Sequence, residues 1–211
     1  MNATIEGGTL SIELIVRGRK ALVVGGCREC ALKLPRLLSA GARVRVVVEG
    51  SVEPSILEQF ERGKIELERR AFRSEDLDEV AVTFVSPDLE HLGAQLAAEA
   101  SLRGTLVSTL DRPSASTFVN PAVVERQGLK IAFSSGGVAP ALLRRIREDL
   151  ERAFEEPRLG DLLRALGEVR ASLPRGERAE KLRTLVEGFS VRTSFTFPTW
   201  LGAKNDEAPS K

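Results

Sequence analysis

VVGGCREC, residues 23–30, holds the densest chemistry in this sequence. It follows an apolar run and opens a helical pattern, the junction where a dinucleotide fingerprint belongs. That fingerprint is Gly-x-Gly-x-x-Gly or Ala. The first glycine makes a tight turn, the second lets backbone approach a pyrophosphate, and the last position must be small for helix–strand packing. Gly25 fits the first position, Cys27 replaces the second glycine, and Cys30 fills the last as a small residue. The helix opening through Gly26, Arg28 and Glu29 can still offer backbone N–H groups to phosphate. Glu49 stands 24 positions after Gly25, at the end of the next strand-like run, with Gly50 behind it. An acid there bonds ribose hydroxyls and favours NAD over NADP. It is equally the kind of acid found on a solvated strand end.

Other residues bound the chemistry by their scarcity. Cys27 and Cys30 are the only cysteines and form a C-x-x-C, a redox pair or half a zinc site by spacing. No second cysteine pair completes a tetrahedral zinc, and His91 is the only histidine. Small residues filling a tight turn are the plainer reading. His91 sits in a helical stretch and reads as a surface or satisfied histidine. Without tyrosine, any dehydrogenase mechanism that needs a Tyr acid is excluded. Asp111 ends an apolar run and precedes Arg112-Pro113, then a stretch of small and hydroxyl residues up to Ser134-Ser135-Gly136-Gly137. It reads either as a turn or helix cap, a common role for Asp-X-Pro, or as a lone carboxylate doing chemistry at a strand end.

The elements that would position these groups alternate. Lys20–Val24, Arg43–Val48, Lys64–Leu67, Val80–Val85 and Thr105–Thr109 are short apolar or β-branched runs that read as strands. Arg28–Ala40, Pro54–Arg62 and Leu89–Arg103 have helical spacing, with Pro35 a blemish in the first. The predicted fold class is α/β: a Rossmann-like doubly wound parallel sheet. After Asp111 the pattern changes. Thr117–Glu125 and Leu129–Ser134 read as a hairpin around Arg126-Gln127-Gly128. From Pro140 to Arg192 the chain is helical and charged, split into roughly three helices, and Gly202–Lys211 reads as a frayed polar tail. The expected division is a nucleotide-binding domain over 1–112, a dimerisation segment over 113–150 and a small helical domain over 151–211.

Composition supports a folded chain: 42% of residues are hydrophobic and 29% charged, and the net charge of +1 argues against nucleic-acid or anionic-membrane binding. No apolar run is long enough to span a bilayer. The first residues lack the basic and apolar regions of a signal peptide. Two cysteines fit a reducing compartment, so a cytoplasmic location is expected.

Three segments resemble a known family. GRKALVVGGCRECALKLPRLLSAGARVRVVVEG, VSPDLEHLGAQLAAEASLRGTLVSTLD and FVNPAVVERQGLKIAFSSGGVAPALLRRIREDLE are similar to the precorrin-2 dehydrogenase / sirohydrochlorin ferrochelatase family, including the N-terminal module of siroheme synthase. Gly25, Gly26, Cys30, Lys33 and Ala40-Gly41-Ala42 fall in register with its glycine-rich turn and first helix, with Cys27 as the departure. Asp88 and Asp111 match two of its aspartates. The third segment matches its F-x-x-P-A, hairpin and S-S/T-G-G-x-x-P pattern, which ordinary Rossmann dehydrogenases lack. The resemblance implies a homodimer that uses NAD to dehydrogenate precorrin-2 to sirohydrochlorin. In part of the family it also implies insertion of Fe(II), as substrate, to give siroheme. It places both activities in one cleft and implicates the aspartate matching Asp111 in both. It adds Asp88 to the cofactor set. Precorrin-2 carries many carboxylates, so Arg112, Arg126, Ser135 and Gly136 are its expected substrate contacts, with Arg144 and Arg145 nearby. No resident metal is expected. Dehydrogenase-only and non-catalytic NAD/tetrapyrrole-binding relatives are the alternatives.

Overall fold

A computed structural model describes residues 8–192 and 194–199. Five strands form one parallel sheet: β1 (Lys20–Val24), β2 (Arg43–Val48), β3 (Ile65–Arg69), β4 (Val80–Val85) and β5 (Leu106–Thr109). Their order across the sheet is β3-β2-β1-β4-β5, so the winding reverses between β1 and β4. This is the doubly wound arrangement read from the sequence, and its ligand crevice belongs at that reversal. All six residues of β4 are buried, as are four of the five in β1. Strands covered on both faces are largely apolar, Thr83 being the one polar residue in β4, which is why these runs show no alternation. One face packs Val23, Val46, Phe84 and Leu34, and the other Leu22, Val47, Leu96 and Val107.

The first helical stretch is not continuous. It forms α1 (Arg28–Ala31) and α2 (Leu34–Ser39), separated by Leu32-Lys33. Pro35 has no N–H to continue α1, so the helix restarts with this proline in its first turn. The other connections are α3 (Pro54–Glu61) and α4 (Glu90–Arg103), the latter ended by Gly104 at a left-handed φ of 67°.

Beyond β5 the chain folds back along that strand's open edge. Thr117 Oγ1 accepts from Val107 N at 2.8 Å, Ser116 Oγ accepts from Thr109 N at 2.9 Å, and Thr109 Oγ1 donates to Ala115 O at 2.8 Å. The hydroxyl-rich stretch thus satisfies an edge that would otherwise be unpaired. The hairpin is shorter than its sequence runs: β6 (Ala122–Arg126) and β7 (Leu129–Phe133) pair with each other, and Gln127 and Gly128 both turn at positive φ. Such a two-residue loop matches the strand twist. α5 (Pro140–Ala153) packs on β6.

The chain divides into two compact units. One holds residues up to 126 and 130–155, and the other residues 127–129 and those from 156 onward. The hairpin strands, apart from Leu129, and α5 therefore go with the sheet. The second unit contains α6 (Pro157–Ser172) packed on α7 (Arg178–Leu185). The last of these helices ends at Leu185, short of the expected Arg192, and the expected tail Gly202–Lys211 lies outside the described residues.

Candidate functional site

The first cleft opens at the carboxyl ends of β1, β2 and β4, at the winding reversal. It encloses about 360 Å³, and its lining includes Gly25, Gly26, Cys27, Glu49, Ser86 and Asp88 together with Arg70 and the exposed His91. Gly25 turns at φ 116°, and a Cβ there would lie 2.4 Å from Ser86 Cβ. A Cβ on Gly26 would lie 2.4 Å from Ser51 O and 2.8 Å from Val48 Cγ2. Gly26 O also accepts from Glu53 N at 2.8 Å, which ties this turn to the start of α3. Gly26→Ala is therefore expected to destabilise the unit by about 1–3 kcal/mol, read by thermal unfolding, because backbone rather than a flexible side chain must give way.

Ser86, buried at the end of β4, sits under the turn. Its Oγ lies 3.1 Å from Cys27 Sγ and 3.3 Å from Asp88 Oδ2, two acceptors for one proton. Arg28 and Glu29 are exposed on α1 and do not line the cleft, and Gly50 is exposed just beyond β2. The backbone N–H and the Cys27 thiol hold the Glu29 carboxyl below its ordinary range.

Arg70 reaches the cleft from beyond β3 in a fixed pose. Its Nη1 and Nη2 donate to Asp76 at 2.8 and 2.6 Å, and its Nε donates to Glu68 at 2.7 Å. Burial pushes the Asp76 carboxyl up, but the Arg70 guanidinium and the Arg73 N–H outweigh it and hold Asp76 below its ordinary value.

The second cleft, about 320 Å³, lies in the same unit at the end of β5. Asp111, Arg112, Ser108, Lys33 and Ser135 line it, along with Ser134 and Gly137. Gly136 stands between those last residues at φ 63°. Leu110 N still donates to Val85 O, and then Arg112 N closes a turn onto Thr109 O. Inside that turn Asp111 adopts φ 61°, a left-handed conformation that aspartate tolerates better than most residues. The short 3-10 turn that follows starts from Arg112, so Asp111 is not its cap.

Lys33 comes from the break between α1 and α2. Its Nζ sits 5.8 Å from the centre of the Phe84 ring. Burial lowers its pKa, Arg36 adds to this, and the Asp111 carboxylate opposes both. The cleft thus sets a carboxylate in the field of a partly desolvated ammonium, among serine hydroxyls.

Not every sequence-derived candidate gathers here. Arg126 ends β6, away from both linings, with its guanidinium 3.9 Å from Glu151. Arg145 lies 3.3 Å from Asp149 on its own helix, and Arg144 is exposed on α5. Conversely, Lys33, Ser86 and Arg70 were not among the site candidates. Position at a strand's carboxyl end would have singled out Ser86. Lys33 and Arg70 arrive by long side chains that no spacing announces.

The fold and crevice define a Rossmann-like nucleotide-binding protein. A family model described as putative NAD(P)-binding matches residues 12–122, more than half of the chain. The chain belongs to that family. It is 35% identical over 158 residues to siroheme synthase 1 of Serratia proteamaculans, covering 75% of this chain and 33% of that one. It is 41% identical to the siroheme synthase of Ectopseudomonas mendocina, covering 64% and 29%. Among solved structures it is similar to SirC, a precorrin-2 dehydrogenase, at 25% identity and a TM-score of 0.65, covering 84% of this chain and 89% of that one. The family resemblance read from the three motifs holds. The chain spans about a third of the length of these siroheme synthases.

Proposed function

We propose that this chain catalyses the NAD-dependent dehydrogenation of precorrin-2 to sirohydrochlorin. The observation that carries the reading is Asp111, held at positive φ at the end of β5 in a cleft with Lys33 and Ser135. That SirC is a precorrin-2 dehydrogenase and that the similar relatives are siroheme synthases supports the substrate class.

The first cleft fits a dinucleotide. The tight glycine turn at Gly25 and Gly26, with no room for a Cβ against Ser86 and Ser51, forms one wall of it, and Glu49 offers a carboxylate at the end of β2 for ribose hydroxyls. When bound, NAD supplies the hydride acceptor. The chain's own task is to hold the tetrapyrrole and take the proton released with the hydride. The Asp111 carboxylate is the acceptor for that proton. The Lys33 ammonium, Arg112 and the Ser135 hydroxyl face the substrate's carboxylates. Lys33→Met is expected to raise the KM for precorrin-2 about tenfold with a smaller change in kcat, the loss of one charge-assisted hydrogen bond. Steady-state kinetics checks this split.

The reading extends to a homodimer. The β6–β7 hairpin leaves most side chains half-buried or exposed, and α5 buries none of its residues fully. It extends also to Fe(II) insertion, because one carboxylate that accepts a proton can equally accept the pyrrole protons displaced by iron. Purified protein given sirohydrochlorin and Fe(II) separates the readings. A shift to the siroheme spectrum supports a bifunctional enzyme. An unchanged spectrum beside active dehydrogenation leaves a dehydrogenase alone. Dehydrogenation absent while NAD still binds would favour a non-catalytic NAD/tetrapyrrole-binding protein, with the Cys27 side chain disturbing the cofactor's pose.

A further inference from the structure

We propose that Cys27 and Cys30 are a redox-active dithiol that closes to a disulfide beneath the cofactor cleft. The two sulfurs are 3.5 Å apart, so bonding brings them together by about 1.5 Å. The two positions differ in access. Cys27 is half-buried and lines the cleft, whereas Cys30 is buried, its thiol directed at Val24 O. Burial, then the neighbouring Cys27, pushes the Cys30 thiol up, so it does not react first. Cys27 is the attacking sulfur and Cys30 the resolving one.

The oxidant is a low-molecular-weight disulfide, RSSR. The Cys27 thiolate attacks one sulfur and releases one RSH, forming a mixed disulfide. The Cys30 sulfur then attacks Cys27 as its proton passes to the departing RS⁻, which leaves as the second RSH. In sum, two protein thiols give up two electrons and two protons, and RSSR leaves as two RSH.

Closure reaches the cleft directly. Cys27 Sγ is one of the two acceptors near Ser86 Oγ, and the other, Asp88, also lines the cleft. Drawing the sulfur toward Cys30 leaves the Ser86 proton to Asp88. A dinucleotide seated over Gly25 and Gly26 covers Cys27 in turn. This coupling rests on the function proposed above, whereas the disulfide itself does not.

The test uses the full chain with oxidised glutathione, read by mass and by alkylation after denaturation. The expected product has lost two hydrogens, carries no glutathione, resists alkylation and is restored by dithiothreitol. Cys30→Ala should instead trap a glutathione adduct on Cys27. Two free thiols in the wild type after exposure, or a stable adduct with Cys30 still free, would overturn the proposal. NAD at about ten times the Kd measured by calorimetry should slow closure about tenfold. Binding without slowing would overturn the coupling. Closure with no measurable NAD binding would support the dithiol and count against the cofactor reading alone.

Discussion

Asp111→Asn is expected to lower kcat for precorrin-2 dehydrogenation by about 10²- to 10⁴-fold, the span for loss of a positioned proton acceptor. Asparagine suits the test because it keeps the side chain's shape and tolerates the φ of 61° found at this position. The fold should therefore survive, with thermal unfolding close to wild type. NAD affinity should also be retained, because Asp111 lines the β5 cleft and not the Gly25–Gly26 crevice. Near-normal turnover in Asp111→Asn would remove this carboxylate from the mechanism. A lowered unfolding temperature would show that its main role is to shape the turn.

Asp76 carries the second large effect, on stability. It is 5% exposed, accepts two hydrogen bonds from Arg70 and one from Arg73 N at 2.9 Å, and its removal leaves the half-buried Arg70 guanidinium with Glu68 as its remaining carboxylate partner. Asp76→Ala should cost about 2–4 kcal/mol, less than a fully enclosed pair because Arg70 remains partly hydrated. That corresponds to a fall in Tm of roughly 5–15 °C for a chain of this size. Its carboxyl titrates below the ordinary value of 3.8 in the folded chain. The stabilisation is therefore complete above the ordinary value and is lost as pH falls through the lower folded value. Unfolding of wild type and Asp76→Asn across acid pH should show a gap that narrows below about pH 4. A gap that stays constant down to low pH would mean the pair contributes little. Because Arg70 borders the dinucleotide crevice, the alanine variant should also bind NAD less tightly.

The central strands were legible because β1, β4 and β5 are short apolar or β-branched runs bounded by charge or glycine, and strands buried on both faces ask for little more, whereas the edge strand β3 mixes Ile65 and Leu67 with charged residues. The same simplicity hid the break at Leu32-Lys33. Leucines at helical spacing suggest continuity, and only the missing N–H of Pro35 interrupts it. The segment after Asp111 looked like a polar connector. Its hydroxyls serve the free edge of β5, a role set by which residues come to lie beside that edge and not by their order in sequence. The site divides in the same way. Gly25, Glu49 and Asp111 stand at strand ends, where chain position alone implies a crevice. Lys33 and Arg70 enter through side-chain reach, and Arg126, grouped by sequence with the substrate contacts, ends the hairpin beside Glu151.

The central claim is that this chain transfers a hydride from precorrin-2 to NAD. The most direct measurement incubates purified protein anaerobically with precorrin-2 and NAD⁺ and follows NADH and sirohydrochlorin together. The account predicts that both appear at equal rates, that omitting NAD⁺ abolishes both, and that Asp111→Asn suppresses both. No NADH formation by folded protein at saturating substrates would contradict it.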